Sequence, residues 1–167
     1  RGGIYKDTIT IAADSGFLGF DNGVEANQAL SINIVVPKIA SLSLVNSGDS
    51  YNSSSTNKTL DFGELTQNEE MNFDVIVKSN AGYNLSVSSS NNGVMQLSGA
   101  PGTLANQISY NFYSSGTQKI LTTSKTFPVS LSTGAGVSPS QGVRIPIKVV
   151  IQNVDQKSAG TYQDHVT

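Results

Sequence analysis

Apolar and polar residues alternate with a period of two over most of this chain. Residues 71–79 place Met71, Phe73, Val75 and Val77 on one face. Residues 83–89 turn Tyr83, Leu85 and Val87 one way and Asn84, Ser86 and Ser88 the other, and 108–112 and 143–151 follow the same scheme. Shorter stretches at 29–36, 39–45 and 126–131 are further candidates. Successive side chains of a strand point to opposite faces, so this pattern predicts half-buried strands. Ser, Thr and Asn on the outward positions suit sheets with one wet face. No stretch keeps helical apolar spacing over three turns.

Turn-forming clusters separate the strands: Asp21-Asn22-Gly23, Asn46-Ser47-Gly48-Asp49, Asn80-Ala81-Gly82, Asn91-Asn92-Gly93, Ser114-Ser115-Gly116 and a Ser/Pro/Gly-rich stretch at 138–142. Gly and Asn accept positive φ cheaply, and Asn and Ser side chains bond back to the backbone. The stretch 73–87 reads as a hairpin closed by Ser79-Asn80-Ala81-Gly82. Pro146 lies inside the strongest strand and cannot donate to a ladder, which predicts an edge position or a bulge. The almost wholly polar stretch 47–59 reads as a mobile loop or an irregular edge. Short strands with turn signals about every ten residues predict an all-β fold, an antiparallel sandwich.

The two ends of the chain repeat one another. Gly3-Ile4-Tyr5-Lys6-Asp7-Thr8-Ile9-Thr10 and Gly160-Thr161-Tyr162-Gln163-Asp164-His165-Val166-Thr167 share the pattern G-x-Y-x-D-x-[I/V]-T. Residues 4–12 alternate, with Tyr5, Asp7, Ile9 and Ile11 on one face. A terminal strand of this kind pairs within its own sheet or with the open edge of a neighbour. Burying Tyr5, Ile9 and Ile11 in a partner contributes about 1.5–3 kcal/mol each before ordering costs. The expected organisation is therefore residues 1–14 as a terminal strand, either a donor strand or the closing strand of a preceding copy, followed by a sandwich over 15–167.

Composition narrows the function. Hydrophobic residues make up 37% and charged residues 13%, while Ser, Asn and Thr number 24, 15 and 13. A net charge of −2 and a pI near 5.2 leave no basic footprint for phosphates, so no nucleic-acid partner is expected. Without cysteine there is no disulfide, thiolate metal site or cysteine nucleophile. The single histidine, His165, reads as a solvent-facing strand residue rather than a catalytic base. The acidic pairs Glu69-Glu70 and Asp61/Glu64 read as solvated turn residues, and Asp21-Asn22-Gly23 with Glu25 reads as a turn rather than a calcium loop. No enzyme activity, cofactor or metal is expected. Tyr51, Tyr110, Phe112 and Tyr113 would support carbohydrate stacking if they clustered at the surface, although alternation puts Tyr110 and Phe112 in the core with Ile108. Phe17-Leu18-Gly19-Phe20 reads as a core plug, an exchanged segment or an adhesive patch.

Several landmarks together resemble the spore coat protein U-like domains, which include subunits of archaic chaperone–usher pili. They are Asp61-Phe62-Gly63, the strand at 72–79 followed by Gly82-Tyr83-Asn84-Leu85-Ser86-Val87, Ile108-Ser109-Tyr110-Asn111-Phe112-Tyr113, Arg144-Ile145-Pro146, and Ala159-Gly160-Thr161-Tyr162-Gln163-Asp164. The resemblance covers roughly residues 30–167. It implies an immunoglobulin-like antiparallel β-sandwich that lacks one strand and is completed by a donated one. It implies a fimbrial subunit exported through the periplasm to the bacterial cell surface, with a structural or adhesive role and a part in biofilm formation. The partners it implies are copies of the chain or related pilus subunits, a periplasmic chaperone and an outer-membrane usher during assembly, and a host or abiotic surface. Tyr5, Asp7, Ile9 and Ile11 are then the subunit-interaction strand, and Gly160, Tyr162, Asp164 and Val166 the closing-strand motif. The alternative is a monomeric extracellular carbohydrate-binding module.

Overall fold

The computed structural model describes residues 1–14 and 24–167. The chain divides into two compact units, Arg1–Ile39 and Ala40–Thr167. The Phe17–Phe20 patch and the Asp21-Asn22-Gly23 turn lie outside the described residues.

The first unit is a two-stranded antiparallel ribbon. β1 (Gly3–Asp14) pairs with β2 (Val24–Val36) in a register that sets Tyr5 opposite Ile34, Asp7 opposite Ile32 and Ile9 opposite Leu30. Directly opposed residues share a face. One face of the ribbon therefore carries Tyr5, Ile9, Ile11, Leu30, Ile32 and Ile34 with Asp7 and Gln28, and the other carries Ile4, Lys6, Thr8, Thr10, Ala29, Ser31, Asn33 and Val35.

The second unit is an antiparallel β-sandwich of nine strands: β3 (Ala40–Asn46), β4 (Glu70–Ser79), β5 (Tyr83–Val87), β6 (Val94–Leu97), β7 (Gln107–Ser114), β8 (Thr117–Lys119), β9 (Val129–Gly134), β10 (Val143–Ile151) and β11 (Tyr162–Gln163). One 3₁₀ turn, Leu104–Asn106, precedes β7. The larger sheet runs β11-β6-β7-β10-β4-β3, with β8 beside β7; β5 and β9 form the second sheet. The β3-β4-β10-β7 order matches the four-stranded sheet of an immunoglobulin-type sandwich, with β5 as the first strand of the facing sheet. Register aligns the apolar positions: Val75 lies opposite Leu44 and Ile145, Val77 opposite Leu42 and Val143, and Val149 opposite Phe112. Val75, Val77, Ile108, Tyr110, Phe112, Ile145, Ile147, Val149 and Ile151 are buried in one cluster with Val87 of β5, and Leu85, Val129 and Leu131 pack against it. The sandwich expected from the alternation is the one observed.

Two local expectations are corrected. The stretch 73–87 is not a hairpin, because β4 pairs with β3 and β10 while β5 pairs with β9. Its connection crosses between sheets. Ser79 exchanges bonds with Ser138 there, and Gly82 passes so close to the Gly134 carbonyl that a Cβ would lie 3.2 Å from it. Pro146 sits at neither an edge nor a bulge: β10 is central, between β4 and β7, with an unbroken register against β4. The Pro146 carbonyl accepts from the Ser115 amide, and the β7 ladder stops at the Ser114–Ile147 pair. The missing N–H thus falls where β7 turns away, which removes the usual penalty.

The polar stretch after β3 is tied down. The Ser55 carbonyl accepts from the Leu44 amide at 2.7 Å, its hydroxyl donates to the Leu44 carbonyl at 2.6 Å, and the Asn52 amide donates to Ser43 Oγ. Lys58 Nζ donates to Asn46, and the Gly48 amide donates to the carboxylate of buried Asp74. One main-chain bond and the side chains of Ser43, Asn46 and Ser55 stand in for a partner strand along β3, so the stretch forms the irregular edge, one of the two expectations for it. β6 and β8 are additions to the expected strands; each is too short, and β8 too polar, to show alternation.

Candidate strand-exchange site

The closing-strand motif occupies the seam between the two sheets. Tyr162 and Gln163 form β11 against Leu97 and Gln96, after which the chain passes to the second sheet. There Ser88 and Thr167 exchange both main-chain bonds at 2.8 Å, the Ser90 amide donates to the His165 carbonyl, and Ser89 bridges Val166. The Tyr162 hydroxyl donates back to the Ser158 carbonyl four residues upstream at 2.7 Å. This is the tyrosine corner that opens the central strand of the second sheet in immunoglobulin-type sandwiches. Gly160 has φ +144°, and a Cβ there would meet Leu97 Cδ1.

Asp164 is the hub. Its Oδ2 accepts from Ser89 Oγ and from the Tyr110 hydroxyl, both at 2.6 Å. Its Oδ1 accepts from the amides of Asn91, at 3.1 Å, and His165, at 2.9 Å. Ser89 Oγ also accepts from the Gly93 amide at 2.7 Å, and the Ser89 amide donates to Ser124 Oγ. Ser89 and Ser124 are fully buried. Burial, reinforced by the hydrogen bond to Asp164, raises the Tyr110 pKa well above the ordinary tyrosine value. A carboxylate with four donors and a buried phenol held neutral make a structural latch. Sequence reasoning picked out Asp164 and missed Ser89 and Tyr110 as its partners. The signal for Ser89 was present: it continues the inward series Tyr83, Leu85, Val87, and a polar residue at an inward position needs a partner.

The ribbon holds the other copy of the motif. Tyr5, Asp7, Ile9 and Ile11 stand on its apolar face, where Ile11 is 59% exposed, Ile34 56% and Leu30 53%. Two local details of the closing segment recur. The Tyr5 hydroxyl donates to the Arg1 carbonyl four residues upstream at 2.8 Å, as Tyr162 does to Ser158. Asp7 Oδ1 accepts from the next amide, Thr8, at 2.8 Å, as Asp164 does from His165. What Asp7 lacks among the described residues is the set of long-range donors that surrounds Asp164.

The remaining candidates are placed as follows. Tyr110 and Phe112 are core residues. Tyr51 lies under Lys78 Nζ, 4.3 Å from the ring centre, and Tyr113 under Lys148 Nζ at 5.2 Å, so each surface ring has one face capped by its own lysine. Tyr113 borders a shallow depression of about 390 Å³ with Glu70, Asn72 and Lys148, in which Lys148 and Glu70 are ion-paired at 3.2 Å. Glu69 accepts from Thr66, and Asp61 from the Gly63 amide, both within turns. His165 is exposed, and only its main chain takes part in the latch. Compared with known proteins, the chain matches no family model and no curated protein.

Proposed function

We propose that this chain is a structural or adhesive subunit of a bacterial cell-surface fibre, built by β-strand donation between copies. The observation that carries the reading is the uncovered apolar face of the ribbon, six large side chains wide. A two-stranded ribbon is marginal in water and gains stability when that face is covered. Strand addition to a sheet edge supplies both main-chain bonds and side-chain pockets. The resemblance to spore coat U-like pilins supports the same assignment. Under it the partners are further subunits, a periplasmic chaperone and an outer-membrane usher, the location is the fimbrial surface, and the role is non-enzymatic.

Native mass spectrometry over a concentration series tests the proposal. The full chain should form concentration-dependent oligomers, and Ile9→Lys with Ile32→Lys should return it to monomer. A wild-type chain that stays monomeric at every concentration overturns it. The second reading, a monomeric carbohydrate-binding module, is favoured by the depression beside Tyr113. It predicts saturable sugar binding that Tyr113→Ala abolishes.

A further inference from the structure

The geometry points to a latent modification site: Asn92 deamidates through its peptide bond to Gly93, and the latch around Asp164 withholds that reaction while the closing segment is seated.

An Asn-Gly pair is chemically labile because glycine has no side chain to hinder attack on the asparagine carboxamide. The Gly93 nitrogen attacks Asn92 Cγ, and the new C–N bond closes a succinimide. The Nδ2 group leaves as ammonia, carrying the proton lost by the Gly93 amide. Water then opens either carbonyl of the ring, giving aspartate or isoaspartate with no redox change. The sequence holds two such pairs in the same context, Asn22-Gly23-Val24 and Asn92-Gly93-Val94. Asn22 and Gly23 lie outside the described residues.

Around the second pair the structure holds the groups that ring closure has to move. The Gly93 amide, the attacking group, donates to Ser89 Oγ at 2.7 Å. Asn92 Oδ1, on the carboxamide under attack, accepts from the Lys125 amide at 3.0 Å. The Asn92 amide donates to the Ser89 carbonyl at 3.2 Å, and the Gly93 carbonyl accepts from the Tyr110 amide at 3.4 Å. Gly93 is buried with φ +82°, and a Cβ there would lie 3.0 Å from Leu121 Cβ. Closure needs this peptide to rotate toward the Asn92 side chain, and each of these contacts opposes it.

The latch supplies the hold. Ser89 gives its one hydroxyl proton to Asp164 Oδ2 at 2.6 Å, which leaves its lone pairs to the Gly93 and Asn91 amides. Linked hydrogen bonds polarise one another, so the carboxylate strengthens the Gly93 bond through Ser89. Asp164 Oδ1 also anchors the Asn91 amide. Lifting the closing segment removes both effects together, and such local opening costs less than global unfolding. Isoaspartate then lengthens the main chain by a methylene just before β6, whose register with β7 starts at the Val94–Ser109 pair. The Gly93 amide no longer reaches Ser89. The site is a one-way record of opening, independent of whether copies exchange strands.

Peptide mapping by mass spectrometry, after incubation at neutral pH, reads deamidation at each asparagine. In urea Asn22 and Asn92 should react at the same rate, since the same residues follow them. In the native chain Asn92 should react more slowly than in urea by about tenfold or more. Asp164→Asn should raise the native rate about tenfold, and Tyr110→Phe, which removes a single donor, about threefold. Arg144→Ala breaks an ion pair on the outer face of the larger sheet and should leave the Asn92 rate unchanged despite its cost to the fold. In the isolated isoaspartate form the Ser90 and Gly93 amides should exchange hydrogen about tenfold faster than in the unmodified chain. A native Asn92 as reactive as the unfolded one overturns the site. Equal acceleration by Asp164→Asn and Arg144→Ala means that only global unfolding exposes it, and overturns the part given to the latch. If Asp164→Asn does not fold, Tyr110→Phe against Arg144→Ala makes the same comparison. Full protection at Ser90 and Gly93 in the isoaspartate form overturns the one-way character.

Discussion

The phenol of Tyr110 donates to the carboxylate of Asp164 across 2.6 Å, joining the middle of β7 to the segment that closes the sandwich 54 residues later. Ser89 shares the same oxygen. Asp164→Asn keeps the shape but loses the charge, and the amide cannot accept from all four donors. Unfolding in urea should show a loss of about 2 kcal/mol, the range for hydrogen bonds to a charged group. Tyr110→Phe alone should cost less, because Ser89 and two amides still satisfy the carboxylate.

The same pair sets an alkaline limit. The Tyr110 pKa is raised in the folded state, by burial first and by Asp164 second. Below the unfolded-state value of about 10 both states keep the proton, and the phenol adds no slope. Above it the unfolded chain binds fewer protons than the folded one, so stability falls as pH rises, by up to about 1.4 kcal/mol per unit. Urea midpoints at pH 8, 9, 10 and 11 should decline from pH 10 upward in the wild type, more steeply than in Tyr110→Phe.

On the outer face of the larger sheet Asp74 is ion-paired with Arg144 and accepts from the Gly48 amide. The Asp74 side chain is 3% exposed and that of Arg144 39%. Arg144→Ala leaves a buried carboxylate with one donor. The cost should be about 2 kcal/mol, below that of a fully buried pair because water reaches the arginine. Arg144 Nη2 also donates to the Asp49 carbonyl at 2.6 Å. Hydrogen exchange at Gly48 and Asp49 should therefore accelerate with the thermal shift; unchanged protection there would show that the stretch is held by its serines alone.

Ser114 gives the opposite sign. It is 2% exposed on the inward face of β7, and its hydroxyl has no hydrogen-bond partner among the described residues. Ser114→Ala removes a desolvated polar group and should stabilise the sandwich by about 1 kcal/mol. Differential scanning calorimetry reads this directly, and a lower midpoint would mean the hydroxyl is satisfied in solution.

Alternation alone located β4, β5, β7 and β10 and their inward residues, since a sheet with one wet face forces apolar and polar side chains onto alternate positions. The turn at Ser115 and Gly116, with φ of 49° and 79°, was legible for a similar local reason: two positive-φ residues make the tight loop between β7 and β8. Tyr5, Asp7, Tyr162 and Asp164 stood out because a motif repeated at the two ends is a property of the string itself. Tertiary structure alone decided which strands are neighbours. The link after β4 crosses to the other sheet, and β10 is central despite Pro146, because pairing partners are chosen across long sequence separations. Only the fold brought Ser89, Tyr110 and Asp164 together, and among the described residues it gives Asp7 no such long-range partners, since a carboxylate acquires donors through the strands packed around it.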